Sequence, residues 1–451
     1  MSAPGAPDRH PRDRLARGLS LNDATMLVVS SVIGSGIFLT PGPVAGLLPH
    51  PGLILAAWVV GGLLSLAGAL ANAELGAMYP HAGGDYVYLR EAYHPAAGFL
   101  VGWLTFFVIY AGSIATLAAG FAEGCVHFVP LGAAAKVMVA VAVTVAMSAV
   151  NYLGVRAGAA VNNVAGYLKI AALGAFVVAG PLLGRGRLDH LQPLVAGAGA
   201  VPLSAFGLAL SPVLFTYLGW NAPVYVASEI RRPDRNLPLS LFLGLAICTA
   251  VYLAGNAVYL YAIPFDRLSA TANAGEAAAA ALFGPVAGGV VAAFVLVSIL
   301  GTLDAMILVG PRIAYAMALD GLFFAGADRV HDLYRTPHRA IVVQGVVAVT
   351  LLGVLRRFPS VLDYTTFAIV LATMADTTAL YALRRRRAAL RRPYRAWGYP
   401  VVPGLYLLAN AAVAAAMLRG RPTECAVGLA VAAAGVPFYW AFARTRRSGA
   451  P

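Results

Sequence analysis

The sequence predicts an all-α membrane protein with twelve transmembrane helices. Three observations carry this. The 451-residue chain is 60% hydrophobic and only 11% charged, with a mean hydropathy of +0.77, which excludes an ordinary soluble globule. No Asp, Glu, Lys or Arg occurs from Ala24 to Ala73. Two glycine-bearing stretches, Ile33-Gly34-Ser35-Gly36-Ile37-Phe38 and Phe215-Thr216-Tyr217-Leu218-Gly219-Trp220, interrupt apolar runs at matching places in the two halves. A helix that breaks inside lipid bares N–H and C=O groups costing several kcal/mol each, so a break is tolerated only where they face protein, water or a ligand. Paired breaks of this kind point to a binding site.

Taken in order, residues 1–18 are rich in Pro and Arg and read as a disordered cytosolic tail. The charge-free run holds two spans, divided at Pro49-His50-Pro51-Gly52 by a tight external turn. The first span is too long, and lacks the small-residue cleavage site, to be a removed signal peptide. Further spans are expected at 96–126, 132–152, 159–183, 201–229, 238–263, 282–318, 340–356, 358–383, 401–418 and 424–443, with Arg356-Arg357-Phe358-Pro359 separating the ninth from the tenth. One extramembrane helix, 265–280, caps the outer face, and residues 444–451 form a second cytosolic tail. No separate soluble domain is expected.

Arginine placement orients these spans, because positive residues accumulate in cytoplasmic loops. With both termini cytosolic, the inner loops and tails hold 23 Lys and Arg and the outer loops 8, leaving Lys169 inside a span. The net charge of +13 is therefore orientation signal and attraction to the anionic lipid bilayer, and nucleic acid is not an expected partner. Cys125, Cys248 and Cys425 form neither a disulfide framework nor a metal-binding spacing. The eight histidines lie at or beyond helix ends and none is in an HExxH pattern. Neither a metal nor another cofactor is expected, and a membrane-embedded enzyme is a poor reading.

At the first break, Gly34 and Gly36 free the backbone and clear side chains from a ligand's path, and Ser35 adds a hydroxyl. Free N–H groups at the start of the following half-helix suit a carboxylate. Carbonyls of Val32 and Ile33, at the end of the preceding half, suit an ammonium. One break can hold both ends of an amino acid. Gly-Ser-Gly also serves plain close packing of helices, but Thr40-Pro41-Gly42-Pro43 just beyond, and the second break, favour a site. There, Pro212 and Pro223 each remove a helix hydrogen bond, on either side of the Phe215–Trp220 stretch. The aromatic residues between them can cover a ligand.

Several motifs together resemble the amino acid, polyamine and organocation (APC) superfamily, and most of all bacterial relatives of the L-type amino acid transporters. They are Gly34-Ser35-Gly36-Ile37-Phe38, Ala73-Glu74-Leu75, Gly83-Gly84-Asp85-Tyr86-Val87-Tyr88-Leu89, Gly219-Trp220-Asn221, the run from Glu229 to Pro238, and Gly310-Pro311-Arg312 through Gly321. The resemblance implies a LeuT-type fold: inverted repeats of five helices, 19–183 and 201–383, discontinuous helices 1 and 6, and two additional helices over 401–443. It further implies that Gly34, Ser35 and Gly36 hold the substrate carboxylate through backbone amides. Carbonyls of Val32, Ile33, Phe215 and Thr216 would take the α-ammonium, with Phe215 as an outer gate; Tyr217 and Leu218 complete the expected substrate-binding set. L-type members usually carry a small residue where this chain has Leu218, and an inward-facing Leu218 favours small neutral substrates.

Lys169 lies roughly 15 Å into the fifth span at helical rise, too deep for easy snorkelling. It is one of two lysines in a chain that otherwise uses arginine. Lysine can give up its proton when desolvated and arginine does not. The resemblance implies that its ammonium occupies the place of a sodium ion between helices 1 and 8, touching first-helix carbonyls near Ser31 or Gly34 and the eighth helix near Thr302. Asp304, mid-span where a carboxylate costs about 2.5–3.5 kcal/mol, departs from the asparagine usual in the family. It can pair with Lys169, accept a proton, or serve as a hydrogen-bonded packing residue, the preferred reading. Glu74 is expected to be structural and Glu123 to line the entry path.

These readings converge on secondary active transport of neutral L-amino acids across the cytoplasmic membrane, sodium-independent, by exchange or proton symport. Cationic amino acids or polyamines are the alternative, and would need an acidic pocket residue, for which Glu123 is the candidate. Cys125 lies near the place where eukaryotic L-type members bond to a glycoprotein, but the surrounding motif is missing, so no covalent partner subunit is expected.

Overall fold

The computed structural model describes residues 13–194, 203–354, 358–420 and 422–447; the first twelve and last four residues of the expected tails, and Arg356-Arg357, lie outside these. All the elements are helices, and the described residues contain no strand, only isolated backbone bridges. Among the described residues ten helices are long and apolar enough to cross a membrane.

Ser20 starts α1 (Leu21–Val32) with a capping box, its hydroxyl accepting from the Asp23 amide while the Asp23 carboxylate accepts from the Ser20 amide at 2.7 Å. The helix stops at Ile33 and resumes as the short α2 (Gly36–Leu39) and α3 (Pro41–Ala45). His50 caps α4 (Pro51–Met78). A short α5 (Asp85–Ala92) leads to α6 (Pro95–Leu104), which passes through a π-helical stretch, Thr105–Tyr110, into α7 (Ala111–Cys125). Then come α8 (Ala133–Tyr152) and α9 (Val155–Leu183).

The second half opens with α10 (Leu203–Tyr217), breaks, and continues only as α11 (Ala222–Tyr225) and a 3-10 turn at Ala227–Glu229. The single long sixth span expected over 201–229 is thus a helix of ordinary length leading into irregular chain, because Gly219 and Pro223 deny regular helical bonding to the residues beyond Tyr217. The long α12 (Pro233–Ala262) precedes α13 (Phe265–Leu268) and α14 (Ala274–Phe283), two pieces where one helix at 265–280 was expected. α15 (Pro285–Val309) and α16 (Pro311–Leu319) run on as one apolar stretch, and α17 (His338–Val354), α18 (Phe358–Arg386), α19 (Val401–Gly420) and α20 (Pro422–Arg447) complete the chain. The sixth and ninth expected spans correspond to the shorter apolar helices Ala205–Tyr217 and His338–Gly353.

The core forms where α1 is surrounded by α9, α12 and α15, and where α4 packs on α10 and α12. The buried carboxylate of Glu74 on α4 is held by Arg384 of α18, with 2.6 Å to Nη2, and by Arg392 at 3.2 Å. It also accepts from the Ala396 amide at 2.7 Å. That agrees with a structural Glu74.

Candidate functional site

The two breaks meet. Thr40 just past the first and Thr216 at the end of α10 share a hydroxyl hydrogen bond of 2.9 Å. A Cβ on Gly36 would fall 2.8 Å from the Thr216 Cγ2, so only glycine allows this approach. Gly219 has φ +97°, and a Cβ there would meet Ser31 at 3.0 Å, so glycine is required on both counts. Neither Gly34 nor Gly36 has a positive φ. The conformational freedom expected of that pair is not used, and Gly36 is needed for space.

Between the breaks lies a cavity of about 140 Å³. Ser31, Val32, Gly34, Ser35 and Gly36 line it from one side and Phe215, Thr216, Leu218, Gly219 and Asn221 from the other. The third span, α15 and α18 close it. Its described lining contains no Asp, Glu, Lys or Arg. The Ser31 and Thr116 hydroxyls face it buried and without hydrogen-bond partners. Of the three amides expected to hold a carboxylate, that of Gly34 is already used, donating to the Val32 carbonyl at 2.9 Å, while among the described residues the amides of Ser35, Gly36 and the following Ile37 donate to no backbone carbonyl. The result is a small neutral chamber with spare donors along one wall.

The carbonyls assigned to an ammonium are already engaged. Tyr252 of α12, which nothing in the sequence marked, places its hydroxyl 2.7 Å from the Val32 carbonyl and 3.0 Å from that of Thr216, bridging both breaks. Ser298 donates to the Ile33 carbonyl at 3.2 Å. The Phe215 carbonyl accepts from the Leu218 amide at 3.1 Å. The Val32 carbonyl also accepts from the Gly34 amide at 2.9 Å and is fully used, whereas the other three oxygens each keep a second lone pair. Two expected residues stand outside the chamber. Ile33 is fully buried beside it, and Tyr217 turns away to donate to the Trp58 carbonyl at 3.1 Å. The second break begins later than expected, at Leu218, because α10 keeps helical geometry through Tyr217.

Lys169 is fully buried on α9, and its ammonium donates to the Ser30 carbonyl and to the Thr302 hydroxyl, each at 2.9 Å. Thr302 in turn reaches the Ser30 carbonyl at 2.9 Å. The Lys169 amino group thus sits on the Ser30 carbonyl near the end of α1, where the helix dipole is negative. Asp304 is not its partner. Two residues beyond Thr302, on the opposite face of α15, Asp304 accepts from the Asn151 amide of α8 at 2.7 Å and is fully buried. Glu123 does not line the chamber: it is exposed and paired with Lys136 at 2.8 Å. Thr302 alone of these groups belongs both to the chamber wall and to the lysine's contacts.

Comparison with known proteins agrees with this architecture. An amino acid permease family model matches residues 19–440. The chain is 29% identical to the serine/threonine exchanger SteT of Bacillus subtilis, covering 97% of this chain and all of that protein. It is 31% identical to the human b(0,+)-type amino acid transporter 1, over 95% of this chain and 88% of the relative. It is 29% identical to the mouse Asc-type amino acid transporter 1, over 95% of this chain and 82% of the relative.

Proposed function

Because this chain belongs to the amino acid permease family, we propose that it carries small neutral L-amino acids across the cytoplasmic membrane by alternating access. The protein is a multi-pass membrane protein, here read with twelve spans, both termini cytosolic, and helices 1–5 and 6–10 as inverted repeats. The observation that carries the substrate class is the chamber lined without a charged side chain. A cationic side chain or a polyamine would enter it unpaired, at a cost of several kcal/mol, and Glu123, the acidic residue that reading needs, is elsewhere. The free amides of Ser35, Gly36 and Ile37 take the carboxylate, with Ser31 beside them. The α-ammonium takes the second lone pairs of the Ile33, Phe215 and Thr216 carbonyls, that of Val32 being used by Tyr252 and the Gly34 amide. The relative named a serine/threonine exchanger supports small polar substrates and exchange. Lys169 in place of a bound cation makes transport sodium-independent, and no covalent partner is needed.

The test is uptake of radiolabelled serine and alanine into proteoliposomes. Uptake stimulated by internal unlabelled amino acid, unaffected by replacing sodium with choline, is expected. Preference for arginine or spermidine, or an absolute need for sodium, would overturn the reading. Leu218 projects into the chamber wall, and Leu218→Gly is expected to raise uptake of leucine relative to serine by about tenfold, the scale of a filled or emptied apolar subsite. An unchanged ratio would mean that Leu218 does not set the size limit.

A further inference from the structure

Behind the chamber wall lies a second polar centre with no part in holding substrate. Asp85, at the start of α5, and Asp376, in the middle of α18, are both fully buried, and the packing of α5 on α18 brings their carboxyl groups together as neighbours. Among the described residues neither has an arginine or lysine acting on it. The groups that face the pair are Tyr88 of α5, Tyr110 of the π-helical stretch, Tyr225 of α11, Tyr406 of α19 and the amide of Asn72 on α4. The nearest buried cation on α18, Arg384, is committed to Glu74. Among the described residues, Oδ1 of Asp85 and both Oδ of Asp376 lack a donor at full hydrogen-bond geometry, as the equally buried Asn72 amide and Tyr88 hydroxyl lack a partner at that geometry.

Two adjacent carboxylates in a dry interior cannot both carry charge without a cation, and one proton between them turns facing acceptors into a donor–acceptor pair. Burial alone holds the Asp85 carboxyl above the usual carboxylate range. The pair is also wired to the chamber. Tyr225 donates to Asp85 Oδ2 at 2.5 Å and accepts from Asn221 at 3.2 Å, and both Tyr225 and Asn221 line the chamber. The loop carrying Asp85 is stitched to the same segment, with the Gly83 amide on the Tyr225 carbonyl at 3.1 Å and a bridge between Ala82 and Val226.

We propose that Asp85 and Asp376 form a buried proton-binding site, one proton held between their carboxyl oxygens, whose loading and release bias the position of the second break through Tyr225. The proton enters from water and leaves to water, with no bond other than O–H made or broken. A segment that moves with substrate and also donates to Asp85 must favour one protonation state in each position, which is the physical content of coupling. This site is distinct from the Lys169 contact. It rests on the transport reading only for its effect on flux.

The test uses the full chain in proteoliposomes, in an Asp304→Asn background that silences the other fully buried described carboxyl lacking an arginine partner. Infrared spectroscopy should show a protonated carboxyl band at neutral pH, lost in Asp376→Asn and in Asp85→Asn. Exchange should change severalfold between about pH 5 and pH 8, and by less than about twofold in Asp376→Asn, whose amide mimics the loaded acid. A spectrum without the band, a band that survives both substitutions, or an Asp376→Asn pH profile matching the parent's would each overturn the proposal. A sodium-dependent loss of the band would assign the site to a metal cation instead. Should no amino acid be transported at all, the transport reading fails and the infrared result alone decides the proton site.

Discussion

Glu229→Ala is expected to destabilise the protein by about 3–5 kcal/mol, the cost of leaving a buried charge without its partner. Arg312 on α16 and Glu229 at the end of the second break are 1% and 0% exposed. They form a two-pronged pair, 2.8 Å from Nε to Oε1 and 3.2 Å from Nη2 to Oε2. Removing the carboxylate strands a guanidinium whose one remaining anchor among the described residues is the Leu308 carbonyl. The same segment takes the Leu19 amide on the Glu229 carbonyl at 2.9 Å and returns the Arg231 amide to Leu19 at 2.8 Å. The lesion therefore loosens the entry to α1 as well as the exit from the second break, and transport should fall with stability. Denaturant titration in mixed micelles reads the effect, with Lys136→Ala as the comparison. That residue's pair with Glu123 is exposed, and such pairs are worth about 0–1 kcal/mol. A double replacement of Glu229 and Arg312 by apolar residues of similar volume should recover much of the loss, since apolar packing often matches a buried pair. Equal effects of Glu229→Ala and Lys136→Ala would mean that the pair is not as buried as its geometry states.

The helices were legible because lipid imposes so strict a rule: most spans begin and end within a few residues of the apolar stretches that encode them, as in α19 (Val401–Gly420) against an expected 401–418. The breaks were legible for the same reason, since glycine and proline in a long apolar run have few structural uses. What could not be read was which atoms the breaks present. Helix α10 holds its geometry through Tyr217 because the apolar contacts of that residue with Trp58 and Tyr252 reward the extra turn, and no local propensity records a contact with a distant helix. Tyr252 itself was one of many aromatic residues in an apolar run, and only the fold brings its hydroxyl to Val32 and Thr216. Asp376 gave no readable message for a related reason: its meaning comes from Asp85, almost 300 residues away in sequence and adjacent in space. Long-range polar partners are where sequence reading stops, since a carboxylate's role depends on what the fold sets against it.

Lys169→Met is expected to reduce exchange by about a hundredfold or more, in the range of about 3 kcal/mol of lost charge-assisted bonding in the working cycle, while changing stability little. The two effects separate for a physical reason. An ammonium buried at 0% exposure bears a large desolvation cost that its two oxygen contacts only offset, so an apolar side chain of similar length is close to neutral for folding. Transport differs. The ammonium links the Ser30 carbonyl of α1 to Thr302 of α15, and Thr302 also lines the chamber, so the link must be remade or broken as α1 moves against its neighbours. Methionine leaves those helices packed but unlinked. Lys169→Arg should not rescue exchange, because a planar guanidinium cannot replace a compact ammonium between two oxygens 2.9 Å away. Counterflow in proteoliposomes, with unfolding of the same preparations, measures both quantities. Full exchange by Lys169→Met with an unchanged pH profile would reduce the lysine to a packing residue. A loss of exchange that only tracks a loss of folded protein would place it among the structural ion contacts, with Glu74 and Arg312.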